Sequence, residues 1–216
     1  MVETPHRGRV DVVAIGVSTG GPKALATLLQ QFPADLPVPV VVVQHMPPIF
    51  TKLLAARLDA RLPIRVGEAA GGECLGPGQV WIAPGDHHMV VKRAGTKILL
   101  DLNQEPAENS CRPAIDVLFR SVAAVYGAHV LAVVLTGMGS DGLRGCQAIH
   151  HAGGRILVQD EASSVVWGMP KCVVQAGIAG EILSLEALGP KIVRRLYEGR
   201  RPSVAGHPPL DARAPR

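Results

Sequence analysis

Short aliphatic runs, each ending in a glycine- or proline-marked turn before a helical stretch, constrain this chain more than any other feature. They cover 11–16 (DVVAIG), 38–44 (VPVVVVQ), 129–136 (HVLAVVLT) and 155–159 (RILVQ). Their apolar residues are continuous rather than alternating, as expected of strands covered on both faces. Strands that alternate with helices call for right-handed crossovers and a parallel sheet. The expected fold is therefore α/β: a doubly wound, mostly parallel sheet flanked by helices. Helices are predicted from Pro22, from 47–48 to about 60, over 113–126, after Gly142, after Pro170 and over 185–197, with a short strand near Ile182. Residues 80–102 depart from this pattern, reading as short strands with a turn at 93–96, hence an appended antiparallel hairpin.

A chain of 216 residues fits one domain with a core that needs no disulfide or structural metal. Aromatics are only 3% against 47% apolar, so that core is built from Val, Leu, Ile and Ala. Residues 1–9 read as an N-terminal tail, 10–198 as the folded domain and 199–216 as a basic, Pro-rich C-terminal tail. The formal charge of +4 is located at the C-terminal end. From residue 190 onward seven Lys/Arg face two acids, a net +5, which leaves −1 for the first 189 residues. A domain so balanced gives no footprint for nucleic acid, and the tail reads as solvated. Cys74, Cys111, Cys146 and Cys172 are isolated, with no metal-ligand spacing, and read as reduced. With neither an export signal nor a membrane span in view, the expected compartment is the cytoplasm.

Gly16-Val17-Ser18-Thr19-Gly20 matches G-x-S-x-G, whose glycines allow a sharp strand-to-helix turn that lifts the serine clear of the sheet. Alone the motif is weak, because a Gly-rich turn with a capping Ser looks the same. His45 and Asp141, however, also lie just past the carboxyl ends of predicted strands, the edge where open α/β sheets collect catalytic groups. A serine needs a base to take its proton, and the base needs a carboxylate to fix its tautomer. Ser18, His45 and Asp141 supply those three types. If Asp141 were only a helix cap, Asn would replace it with little effect. A degenerate dinucleotide turn is the competing reading. It fails because Ser18 replaces the middle glycine, and the next strand ends in Gln44-His45 rather than in an acid.

These residues belong to a wider set: GVSTGGP (16–22), QHM (44–46), IAPGD (82–86), RP (112–113) with DVLF (116–119), TGMGSDG (136–142) and QDEASSVVWGMP (159–170). In this order the segments resemble the catalytic domain of the chemotaxis protein-glutamate methylesterase (CheB) family, over about 11–198. The resemblance implies hydrolysis of glutamate γ-methyl esters on the helical cytoplasmic region of chemotaxis receptors, with release of methanol. In many relatives it also implies deamidation of receptor glutamines. Ser18, His45 and Asp141 fall on the family's nucleophile, base and orienting acid, and backbone N–H groups of Thr19 and Met138 on its oxyanion site. No metal or organic cofactor is implied. Relatives usually carry a phosphorylatable receiver domain, and the few residues before the first strand lead us to expect none here. Cys111 stands before Arg112-Pro113 where relatives often have a polar residue.

Two other readings stay open at this stage: a non-catalytic receptor-binding module, and a serine esterase for another substrate. His87-His88 point to opposite faces of a strand and so make a poor metal pair. His150-His151 suit the C-terminal dipole of a helix. Asp160-Glu161 read as solvated loop acids near the cleft, and Trp167 and Met169 as either a substrate wall or core.

Overall fold

The computed structural model describes residues 8–198 and 200, so the two expected tails lie almost wholly outside the described residues. Seven parallel strands form one sheet in the order β3-β4-β2-β1-β7-β8-β9. They are β1 (Val12–Val17), β2 (Val40–Gln44), β3 (Arg65–Glu68), β4 (Gln79–Ile82), β7 (Val130–Val134), β8 (Arg155–Gln159) and β9 (Glu181–Leu183). A separate antiparallel pair, β5 (His88–Ala94) and β6 (Lys97–Asn103), is the expected hairpin. The helices are α1 (Gly21–Leu29), α2 (Phe50–Asp59), α3 (Ile115–Tyr126), α4 (Leu143–His151), α5 (Met169–Gln175) and α6 (Leu185–Tyr197).

The continuous apolar runs are explained by burial on both faces. In β1, Val13, Ile15 and Val17 face a layer built by Leu25 and Leu28 of α1, Leu54 and Leu58 of α2 and Leu188 and Ile192 of α6. Val12 and Ala14 face the opposite layer, with Leu118 and Phe119 of α3, Ile149 of α4, Val173 of α5 and Met89 and Leu100 of the hairpin. Adjacent side chains on a strand point to opposite faces, so a strand covered twice must be apolar at every position. The hairpin thus joins the molecule through packing and through a short antiparallel bridge from Cys74 to Leu99 of β6.

Three details differ from the sequence expectation. Val80 to Ile82 do not begin the hairpin but form β4, paired in parallel with β2 and β3. Strand β3, whose sequence RVGE has no aliphatic run, was not foreseen. Helix α2 starts at Phe50, because Pro47 and Pro48 lie in the loop before it and Ile49 takes a left-handed φ of 74°.

Candidate active site

Strand β1 is flanked by β2 on one side and β7 on the other, so chain order reverses there. Such a switch point opens a crevice at the carboxyl edge. Ser18 follows β1, His45 follows β2 and Asp141 lies in the loop after β7, all on that edge. The ladder continues past the strands to seat them: Ser18 N–H donates to Thr136 O at 3.0 Å, and His45 N–H to Val17 O at 3.2 Å. Ser18 C=O accepts from Gly21 N at 2.8 Å and from the Gln44 side-chain amide at 3.0 Å.

The two motif glycines serve different purposes. Gly20 takes φ 81° at the start of α1, a conformation a side chain disfavours. Gly16 lets α3 sit on β1, since a Cβ there would lie 2.5 Å from Ile115 Cγ2. Gly137 presses on the serine itself: a Cβ on it would come 2.8 Å from Ser18 Cβ.

His45 Nε2 and Asp141 Oδ2 are 2.8 Å apart across 96 positions of sequence. Asp141 is buried, and its oxygens collect donors from another helix. Oδ2 accepts from Ile115 N at 2.7 Å, and Oδ1 from Asp116 N at 3.0 Å, Gly142 N at 3.0 Å and the Asn109 side-chain amide at 2.8 Å. Ile115 and Asp116 open α3, whose own N-cap, Ala114, has no side-chain acceptor. Asp141 therefore caps α3 from a distant loop. Burial pushes its carboxyl pKa up, but the His45 bond and the α3 amides outweigh that and hold it below the ordinary value. For His45 burial pulls the pKa down, but bonds to Asp141 and then Cys111 prevail and raise it from 6.5 to about 9.

The other ring nitrogen, Nδ1, faces Cys111 Sγ at 3.6 Å. Among the described residues Ser18 Oγ makes no hydrogen bond, and the N–H groups of Thr19 and Met138 donate to no protein acceptor. Thr19 and Met138 are exposed.

The family model described as CheB methylesterase matches residues 13–192. The chain belongs to this family. It is 55% identical over 188 residues to a protein-glutamate methylesterase/protein-glutamine glutaminase of Trichodesmium erythraeum, covering 87% of this chain and 53% of that protein. A namesake from Nocardioides sp. is 54% identical over 201 residues, covering 93% of this chain and 54% of that protein. The chain thus spans about half the length of these curated relatives. Among solved structures, the Thermotoga maritima CheB methylesterase catalytic domain matches with TM-score 0.84 at 41% identity, covering 87% of this chain and 99% of that one.

Sequence reasoning assigned no role at this site to three residues that the structure brings to it. Asn109 bridges two buried acids, donating to Asp141 and, at 2.9 Å, to Asp116 Oδ2. Asp116 in turn accepts from Gly145 N at 2.7 Å and ties α3 to α4. Cys111 is not an isolated small residue, because it touches His45. Its only sequence signal was the departure from the usual polar residue.

The residues weighed beside the triad resolve simply. His88 is buried and holds backbone, with Nδ1 accepting from Ala114 N at 3.1 Å and Nε2 against Pro106 O at 3.2 Å. Asp160 accepts from Ser163 N and Oγ within its own loop. Met169 is core, while Trp167 is half-buried and donates to Gln159 O at 2.9 Å. His150 and His151 occupy the last turn of α4. Among the described residues no helix is long and apolar enough to cross a membrane.

Proposed function

We propose that this chain hydrolyses glutamate γ-methyl esters on chemotaxis receptors, with Ser18 as nucleophile, His45 as base and Asp141 as orienting acid. The observation that carries the reading is the 2.8 Å His45–Asp141 contact at the switch point next to Ser18. With Nε2–H committed to Asp141, the nitrogen left to take the Ser18 proton is Nδ1. In this structure Nδ1 faces Cys111, so the reaction requires the ring to turn towards Ser18 Oγ as substrate binds, and such bonds are often loose before then.

As Ser18 Oγ attacks the ester carbonyl, its proton passes to His45 Nδ1, and the oxyanion is received by the Thr19 and Met138 N–H groups. The proton then goes to the leaving methoxide, releasing methanol and leaving an acyl-serine. Water, deprotonated by His45, cleaves the acyl-serine to a glutamate side chain and restores Ser18. The same steps on a glutamine amide release ammonia, the activity that the relatives' names add. Exposed Ile49, Met138 and Val165 lie in loops at or near the carboxyl edge and, with exposed Phe50 at the start of α2, suit a protein substrate with apolar side chains, such as a receptor helix.

The test is methanol release from receptor membranes labelled on the methyl ester. Ser18→Ala should lower turnover at least roughly 10³-fold with an unchanged melting temperature. Undiminished release by a folded Ser18→Ala protein would remove the central claim.

A further inference from the structure

His45 lies between two other potential ligands, and the proposed reaction uses only one of them. One ligand atom from each of His45, Cys111 and Asp141 lies within 4.8 Å of the others. The His45 Nδ1 to Cys111 Sγ distance is 3.6 Å. A tetrahedral zinc ion with its usual bond lengths separates an imidazole nitrogen from a thiolate sulfur by about 3.5 Å, so this pair already has the required bite. On the far side of the ring, Nε2–H points to Asp141 Oδ2. Metal-bound histidines generally donate their other N–H to a carboxylate in this way, which fixes the tautomer and strengthens the ligand.

The surroundings admit a cation. Cys111 and His45 are half-buried rather than sealed. Arg112, next in sequence to Cys111, is committed to Asp86 and to the carbonyls of Gln104 and Glu105. Asp141 supplies negative charge on the far side of the ring.

We propose that His45 Nδ1 and Cys111 Sγ, backed by Asp141, form a site for a soft divalent cation of the zinc class, and that the bound cation switches the esterase off. On binding, the Cys111 S–H proton and the proton that His45 Nδ1 carries below its pKa are released to solvent, the hydrated cation gives up two waters, and it gains one bond to sulfur and one to Nδ1, with water in its remaining positions. The nitrogen that would accept the Ser18 proton is then occupied. The inhibitory half rests on the esterase reading above; the binding half does not.

Co²⁺ is the probe for binding, added to chelator-treated protein without substrate. A thiolate-to-cobalt charge-transfer absorption should appear, be displaced by Zn²⁺, and be absent from Cys111→Ala and Cys111→Ser proteins that melt like the parent. In the methanol-release assay Zn²⁺ should inhibit the parent reversibly by chelator. For each Cys111 variant, judged against its own metal-free rate, the midpoint should move up at least about tenfold. No absorption, or absorption retained without Cys111, overturns the site whether or not the protein proves to be an esterase. Equal inhibition of parent and variants overturns the switch.

Discussion

At the scale of single residues, Asp141 carries more than a catalytic role requires. A carboxylate only accepts, and Asp141 accepts on both oxygens, from His45 and Ile115 on one and from Asn109, Asp116 and Gly142 on the other. In Asp141→Asn the NH₂ must face donors whichever way the amide is turned. We expect turnover to fall by about 10³ to 10⁴, as for a misheld tautomer. We also expect folding stability to fall by about 1–3 kcal/mol for each donor left unsatisfied. Denaturant melts beside kinetics check this, and an unchanged midpoint would count against the hydrogen-bond set. From the sequence alone the same loss of turnover is expected with stability nearly intact, because the sequence places Asp141 near α4 and does not show that it caps α3. The pH dependence follows from His45. The base must be neutral, so kcat/KM should rise as pH increases towards about 9 rather than through 6–7. The sign for stability is opposite. A pKa raised from 6.5 to about 9 in the folded state stabilises fully below 6.5, and that contribution is lost as pH climbs through about 9. Cys111→Ala removes one cause of the increase and should bring the kinetic limb to lower pH.

At the scale of elements, α3 is the piece that joins fold and site. Its first turn receives Asp141, and Ile115 rests where Gly16 has no side chain. Gly16→Ala would force a methyl within 2.5 Å of Ile115 Cγ2 and shift that turn. Overpacking of this kind costs about 1–3 kcal/mol, and here activity should fall by more than the lost folded fraction explains. Measuring kcat at a temperature where the variant is fully folded separates the two, and a normal kcat would show that α3 absorbs the methyl without moving Asp141. The elements legible in sequence were those with a physical signature of their own. The valine runs of β1 and β2 and the amphipathic span of α6 are examples, and α6 lies where it was expected, at Leu185–Tyr197. Strand β3 was silent because only Val66 of its four residues is buried. The contact of Cys111 with His45 joins an irregular loop to a strand end across 66 positions, and no local pattern encodes such a meeting.

At the scale of the molecule, the sheet separates two apolar layers that share few partners. Leu28 lies in one and Phe119 in the other, both fully buried. Leu28→Ala should cost about 2–5 kcal/mol and Phe119→Ala about 3–5 kcal/mol. The double variant should lose their sum within about 0.5 kcal/mol, as independent sites do, and urea melts of the three proteins would expose any coupling through the strands. The strand order has a temporal consequence as well. Ser18, His45 and Asp141, the proposed catalytic groups, cluster around β1 at the centre of the sheet, yet β1 and β2 come early in the chain while β7 comes after the hairpin and α3. On a ribosome the serine and its base emerge together, but the carboxylate arrives only once the third central strand has been made and has docked against the first. Contacts of such long sequence separation form late. In a nascent chain the proposed triad is therefore incomplete until the last of the three central strands has docked.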